Sequence, residues 1–144
     1  MLIGEYTHAI DDKKRLSLPT KFRKELGAKV VVTHGLDNCL FLFSMKQWEH
    51  ITAKLGELSV GSADSRGFNR FLLAGAVEAE IDSAGRILIP DFLKAFAKLG
   101  KEVVVTGVHD RVELWNSDAW ATYKKRIEAE ADALAEKLGQ VGIF

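Results

Sequence analysis

Two short stretches repeat one pattern of charged residues, and they are the first candidates for a functional site. The first reads "DDKKRLSLP" from Asp11, and the second reads "DSAGRILIP" from Asp82. Each places an Asp four residues before an Arg, then an apolar–any–apolar run and one of the two prolines of the chain. Such an Asp can accept hydrogen bonds from turn amides and pair with the Arg. The Arg of an exposed turn can instead bind phosphates or base edges.

The first stretch is much richer in basic residues than the second. No acid lies between its first lysine and the end of the basic run, which contains Lys13, Lys14, Arg15, Lys21, Arg23 and Lys24. The matching stretch offers Arg86 and also the acid Asp91. We expect the three consecutive cations of the first turn to project from one tip, where they suit DNA phosphates. For the three later cations the alternative is an ordinary solvated helix face.

The repetition extends over most of the chain. After each proline come "KFRKELG" and "FLKAFAKLG", then "KVVVT" and "EVVVT", then "CLFLF" and "VELWN", each followed by a helix-like segment with a Trp. A duplication explains this order, with units that run about 11–55 and 82–138. We predict three regions: a first unit at 5–55 that faces DNA, a connector with a short helix at 56–76, and a second unit at 77–144 with a long C-terminal helix.

Each unit has the pattern strand, turn, strand, short helix, strand, turn, strand, helix. The β-branched "VVVT" runs predict buried strands. Ser44 and Gln47 match a capping box, Asp91 is a candidate N-cap, and "GELSVGSADSRG" is predicted to be a polar loop. The last helix is expected from Ser117 to about Leu138, where apolar residues recur every three or four positions. The predicted fold class is α+β with short strands.

Composition excludes several classes of protein. The formal net charge is zero and 47% of residues are hydrophobic, so the chain can build a core, and any basic surface must be local. Cys39 is the single cysteine and lies in an apolar run, which predicts a buried, inert thiol in a reducing compartment. No stretch approaches the roughly 20 apolar residues of a membrane span, and the N-terminus lacks a signal-peptide pattern. We therefore expect a cytoplasmic protein with no membrane partner.

No grouping of residues predicts catalysis or a cofactor. The four histidines, His8, His34, His50 and His109, are scattered and have no Cys or carboxylate at ligand spacing, so no metal is assigned. No glycine-rich phosphate loop or serine-nucleophile motif is present, and no small-molecule ligand is predicted. Trp48, Trp115 and Trp120 are expected in the core or at a subunit interface. The chain is predicted not to be an enzyme.

One basic tip would give weak, salt-sensitive binding because it makes only a few phosphate contacts. Several copies of the tip in an oligomer would bind DNA much more tightly if their spacing fits the duplex. Short strands and aromatic-rich final strands also favour burial against partners. DNA binding and self-assembly are therefore expected together.

The motifs resemble those of the MraZ family of bacterial transcriptional regulators, which are encoded at the head of the division and cell-wall gene cluster. The resemblance rests on "DDKKRLSLPTKFR", "CLFLFSMKQWE", "NRFLLAGAVEAEIDSAGRILIP" and "VELWNSDAW". It implies a duplicated relative of the AbrB/SpoVT swapped-hairpin superfamily, with two units in a pseudo-twofold, barrel-like core. It further implies a ring-shaped homo-oligomer that binds short direct repeats in the promoter of its own operon, usually as a repressor.

Carried over by motif position, Arg15 and Arg86 match the family's arginine, and Asp11 and Asp82 match its aspartate. The first motif departs at Lys14, where a glycine is usual, so a turn that needs positive φ would be strained there. The predicted DNA-binding residues are Lys13, Lys14, Arg15, Lys21, Arg23 and Arg86, and the two aspartates are predicted to fix the turns.

We expect a nucleoid-associated repressor whose partner is double-stranded promoter DNA, with the second unit mainly completing the fold and the subunit contact. The main alternative is an oligomeric scaffold of the same fold without specific DNA binding. An antitoxin-like role would require a neighbouring toxin gene, and the full-length duplication argues against it.

Overall fold

The computed structural model describes residues 1–142 and contains eight strands and five helices within them. The first half of the chain forms β1 (Leu2–Ala9), β2 (Arg15–Ser17), α1 (Thr20–Leu26), β3 (Lys29–His34), β4 (Leu40–Ser44) and α2 (Met45–Leu55). The second half forms α3 (Ala63–Ala74), β5 (Val77–Glu80), β6 (Arg86–Leu88), α4 (Asp91–Phe96), β7 (Glu102–His109), β8 (Val112–Asn116) and α5 (Ser117–Gly139). The α+β prediction is confirmed.

The strands form an open, antiparallel six-stranded sheet and a separate two-stranded ribbon. The order in the large sheet is β1-β7-β8-β4-β3-β5, and β2 pairs with β6 in the ribbon. The prediction of a barrel-like core is wrong for the described residues, because β1 and β5 lie at opposite edges of the sheet and do not pair with each other.

Four of the six strand pairs join a strand of one sequence repeat to a strand of the other. Strand β1 pairs with β7, and β5 pairs in the same way with β3, so Ala9 lies opposite Glu102 and Glu80 lies opposite Lys29. Strand β4 pairs with β8, and β2 with β6. Because each half supplies strands to the other, the two repeats share one sheet and one core.

The core is built from the β-branched runs. Val30, Val32, Val103 and Val105 are fully buried in the main cluster, beside side chains of the ribbon. The intervening valine of the second run, Val104, packs on the other face with a smaller cluster that includes Cys39 and Trp115. The prediction of buried strands is confirmed, and the central strands of the sheet are buried on both faces.

The helix starts agree only in part with the sequence prediction. The Ser44 hydroxyl caps α2 by accepting a hydrogen bond from the Gln47 amide at 3.1 Å, as expected. The prediction that Asp91 is an N-cap is wrong, because Pro90 holds that position and Asp91 is the first residue of α4. Its carboxylate is thereby free to bind a side chain from another part of the fold.

The predicted polar loop is shorter than expected. Helix α3 begins at Ala63, so residues 63–67 of that segment are helical. The Ser62 side chain caps the helix by accepting a hydrogen bond from the Ser65 amide at 3.3 Å. Serine is a common N-cap residue, but this one lies in a segment so polar that it was interpreted as a loop. Among residues 1–142, no helix combines the length and the apolar character needed to cross a membrane.

Candidate nucleic-acid interface

The two Asp-x-x-x-Arg stretches fold into turns with the same backbone hydrogen bonds. In the first turn, the Asp11 amide donates to the Arg15 carbonyl at 2.9 Å, and the Lys14 amide donates to the Asp11 carbonyl at 3.0 Å. In the second turn, the Asp82 amide donates to the Arg86 carbonyl at 3.0 Å, and the Gly85 amide donates to the Asp82 carbonyl at 2.9 Å. The repeated sequence therefore codes for a repeated backbone structure.

The aspartate side chain holds each turn closed. Asp11 Oδ1 accepts from the amides of Lys13 and Arg15 at 2.8 and 3.0 Å, and its Oδ2 accepts from Arg15 Nε at 3.0 Å. Asp82 accepts the equivalent bonds from the Ala84 amide and from Arg86, whose Nε lies at 3.2 Å. The bond from the following Arg amide lowers the pKa of each carboxyl most strongly, with further lowering by the second turn amide and the Arg side chain.

Both turns require one residue in the left-handed region. The second turn uses Gly85 with φ 80°, whereas the first uses Lys14 with φ 63°. A side chain there costs conformational energy that glycine avoids. The first turn does need a positive φ at Lys14, so the strain predicted for that case applies, and the lysine is exposed at the tip of the turn.

The two turns lie at opposite ends of the antiparallel β2–β6 ribbon, and together with the ribbon they form one composite surface. The β2–β6 ribbon joins them, and each turn accepts an amide hydrogen bond from the strand end of the other unit: Ile89 donates to the Lys14 carbonyl at 3.0 Å, and Leu18 donates to the Gly85 carbonyl at 2.9 Å. Arg86 Nη1 also reaches Asp11 Oδ2 at 3.5 Å. The charged side chains of the two motifs therefore meet across the ribbon.

The short helix after each turn covers the turn of the other unit. From α1, Arg23 donates through Nε to the Leu18 carbonyl at 2.9 Å, and its guanidinium occupies the space that a Cβ at Gly85 would need. From α4, Asp91 Oδ2 lies 2.8 Å from Lys14 Nζ. The second turn therefore receives a cation from the first unit, while the first turn receives an anion from the second.

The predicted cations differ in how freely they can reach a partner. Lys13, Lys14 and Lys21 are exposed. The Arg15 side chain is only 31% exposed because its Nε turns back to Asp11, so the expectation that all three turn cations project from one tip is wrong for this residue. Arg86 is held in the same way and is 30% exposed. Within residues 1–142, the two terminal nitrogens of Arg15 form no hydrogen bond, so they remain available.

Asp91 and Gly85 complete this surface, and sequence reasoning did not assign either to it. The Lys14–Asp91 pair joins residues 77 positions apart, and no local pattern predicts such a contact. One sequence difference could have suggested this contact: the stretch of the second repeat that matches the basic run contains an acid, Asp91.

The other candidate groups lie apart from the turns. Across residues 1–142, no three His, Cys, Asp or Glu side chains cluster closely enough to hold a metal ion. Burial raises the pKa of the Cys39 thiol, which donates to the Leu36 carbonyl at 3.2 Å and is protonated at neutral pH. His34 stacks on Phe71, with 4.8 Å between ring centroids, and its Nδ1 lies 2.9 Å from the Phe71 carbonyl.

Known relatives of this chain are transcriptional regulators. A protein named "Transcriptional regulator MraZ" from Thermoanaerobacter sp. (strain X514) is 49% identical over 143 residues, which cover 99% of this chain and 100% of the relative. A protein of the same name from Moorella thermoacetica is 50% identical over 138 residues, 96% of each chain. The one from Caldanaerobacter subterraneus subsp. tengcongensis is 48% identical over 143 residues, 99% of this chain and 100% of the relative.

A family model described as "MraZ protein, putative antitoxin-like" matches the chain twice, at residues 1–71 and 72–141. The chain belongs to the MraZ family, and the resemblance seen in its motifs is confirmed. MraZ is a family of transcriptional regulators and not of enzymes, so the prediction that the chain is not an enzyme is confirmed.

Proposed function

We propose that this protein binds double-stranded DNA through the paired turns and regulates transcription of its own division and cell-wall gene cluster as a repressor. The targets would be short direct repeats in the promoter. The observation that carries the proposal is the ribbon with two identically folded turns, where Lys13 and Lys14 of the first turn and Lys21 of α1 are exposed.

The roles of the residues follow from their contacts. Lys13, Lys14 and Lys21 would bind phosphates, because flexible exposed ammonium groups are suited to point contacts. Arg15 would read a base edge with its two terminal nitrogens while Asp11 holds its Nε, and such a fixed geometry favours bidentate contacts with guanine. Arg86 and Arg23 would add minor contacts from the second turn.

We further propose that the shared sheet is a duplicated swapped-hairpin pair. The support is the reciprocal exchange of strands, in which β1 pairs with β7 and β5 with β3, together with the two matches of one family model. In this arrangement the ribbon of β2 and β6 lies on a pseudo-twofold axis, with Leu16 opposite its repeat equivalent Ile87.

Self-assembly into a ring would give the affinity that one protomer lacks. A single surface offers few phosphate contacts, whereas several surfaces at a spacing that matches direct repeats act together. Helix α5 supports this proposal, because its second half is exposed and carries Leu134 and Leu138 with 36% and 49% of their surfaces accessible. Such a protein would act in the cytoplasm on the nucleoid.

The test is a footprint on the DNA upstream of its own gene, run with the purified protein at two salt concentrations. Protection of spaced short repeats that weakens steeply at the higher salt concentration is the expected result. Arg15→Ala should weaken protection sharply while the oligomer and the melting temperature hold. Arg126→Ala, on α5, is the control and should protect DNA like the wild type. If Arg15→Ala unfolds the protein, the motif is structural.

A scaffold function is the second candidate, and one observation favours it. Leu88 and Phe92 of the second unit are 55% and 50% exposed, as expected of a protein-binding surface. Binding to the upstream DNA that depends on salt and on Arg15 would exclude a scaffold without DNA binding.

A further inference from the structure

The tip residue of the first turn, Lys14, forms an ion pair with the other unit, whereas the equivalent tip residue of the second turn is Gly85 and has no side chain to pair. Lys14 Nζ lies 2.8 Å from Asp91 Oδ2, and the side chains remain 49% and 72% exposed. The hydrogen bond from Lys14 is also the main cause that lowers the pKa of the Asp91 carboxyl. A repressor surface therefore presents one of its outermost cations already bound to a carboxylate.

Backbone contacts hold both partners of this pair in place. Lys14 is fixed in the left-handed region at the tip of the turn, and its carbonyl accepts the Ile89 amide at 3.0 Å. Asp91 follows Ile89 by two residues and begins α4, so the carboxylate comes directly from the segment that is tied to the turn. The pair is thus a consequence of the contact between the two units and not of two long side chains meeting at random.

We propose that Asp91 competes with DNA phosphate for Lys14 and thereby holds the affinity of the interface below the value that its cations would otherwise give. The inference rests on the proposed function. A phosphate that binds Lys14 must displace Asp91 from its Nζ, and the free energy lost when that pair opens lowers the affinity for DNA. Because both groups are exposed, the pair opens readily, and removing the carboxylate should tighten binding roughly twofold to fivefold at low salt.

The experiment measures the Kd for a duplex of the upstream DNA with four variants in a low-salt buffer. Asp91→Asn keeps the side-chain shape and removes the charge. Asp64→Asn is the matched control, because Asp64 also lies in the first turn of a helix and its loss changes the net charge equally. Lys14→Ala and the double variant Lys14→Ala/Asp91→Asn complete a double-mutant cycle.

The expected result is tighter binding by Asp91→Asn, wild-type binding by Asp64→Asn, and no gain from Asp91→Asn once Lys14 is absent. Equal affinities of Asp91→Asn and Asp64→Asn would overturn the inference, as would a gain that persists in the Lys14→Ala background. NMR titration of the Asp91 carboxyl supplies a readout without DNA: its pKa should rise toward the ordinary value in Lys14→Ala, and an unchanged pKa contradicts the pair. If the wild type binds no DNA at all, the proposed function fails and the inference fails with it.

Discussion

The two turns of this protein have the same backbone but different surroundings. In each, an aspartate accepts two amide hydrogen bonds and an Arg Nε, and in each the helix of the other unit covers the tip. The covering residue is a cation, Arg23, over the second turn and an anion, Asp91, beside the first. The shape of a turn is thus set by its own aspartate, whereas the charge that packs against its tip is set by the other unit.

The helices that follow the turns differ in a similar way. Lys21 of α1 is exposed and basic, whereas the equivalent Phe92 of α4 is apolar and 50% exposed. Ser17 corresponds in the same way to Leu88. One fold therefore presents a basic face from one repeat and an apolar face from the other, and this division suits a protein that contacts DNA with the first.

The largest expected effect concerns the two arginines. Arg15→Ala should weaken binding to the upstream DNA by roughly 5- to 150-fold, the range for loss of one bidentate base contact, and Arg86→Ala should weaken it less. Asp11 keeps its bonds from the amides of Lys13 and Arg15 in the first variant, so the turn should hold. Titrations of both variants against the same duplex measure the difference, and equal losses would remove the functional asymmetry between the turns.

The next largest effect is expected from replacing the glycine of the second turn. Gly85→Ala should destabilise the fold by about 1–2 kcal/mol because alanine is strained at φ 80°, and somewhat more because its Cβ must displace Arg23. The Arg23→Ala background is the control, because Gly85→Ala keeps the strain at φ 80° there but no longer meets the Arg23 guanidinium.

Chemical denaturation of Gly85→Ala, Arg23→Ala and the double variant Gly85→Ala/Arg23→Ala measures the extra cost of displacing Arg23. This extra cost should disappear when Arg23 is absent. If Gly85→Ala costs the same with and without Arg23, Arg23 does not pack against the second turn as described.

A smaller effect is expected from making the first turn like the second. Lys14→Gly should raise the free energy of unfolding by up to about 1 kcal/mol, because it relieves the left-handed lysine at φ 63° at some cost in chain entropy. The same change should weaken DNA binding a few-fold. The melting temperature should therefore rise while the affinity for DNA falls, as measured by thermal melting and binding titrations. A Lys14→Gly protein with a lower melting temperature would show that the lysine stabilises the turn.

The smallest expected effect is a loss of stability at acidic pH to which both turns contribute. Both turn carboxyls have a lowered pKa in the fold, so each contributes stability above the ordinary Asp pKa of about 4 and loses it as the pH falls through the lower folded value. Asp11→Asn and Asp82→Asn should each flatten the loss of stability below about pH 4. Denaturation at a series of pH values measures this slope, and an unchanged slope in either variant would show that its carboxylate does not close the turn.

The sequence predicted the features that depend on local patterns. The spacing of Asp11 and Arg15, repeated at Asp82 and Arg86, identified both turns, and the valine runs identified the buried strands. The open sheet could not be predicted, because pairing between repeats depends on contacts distant in the chain. The start of α3 was missed because the capping signal at Ser62 lies within a polar segment.

The composite site was predictable only in part, for the same physical reason. Its cations could be read from one stretch of sequence, but the contacts of Arg23 with Gly85 and of Lys14 with Asp91 join the two units. Each is set by the packing of β2 against β6, which brings the helix of one repeat to the turn of the other. Domain boundaries and the contribution of each cation to DNA binding stay predictions.

The most direct test of the central claim is amide hydrogen exchange of the full-length protein with and without the upstream duplex. The amides of the paired turns should exchange more slowly when DNA is bound, with the larger change at residues 11–15 and a smaller one at residues 82–86. The exchange rates of α5 and of the edge strand β1 should be the same with and without DNA. Slower exchange confined to α5 or β1, with both turns unaffected, would contradict DNA binding by the turns.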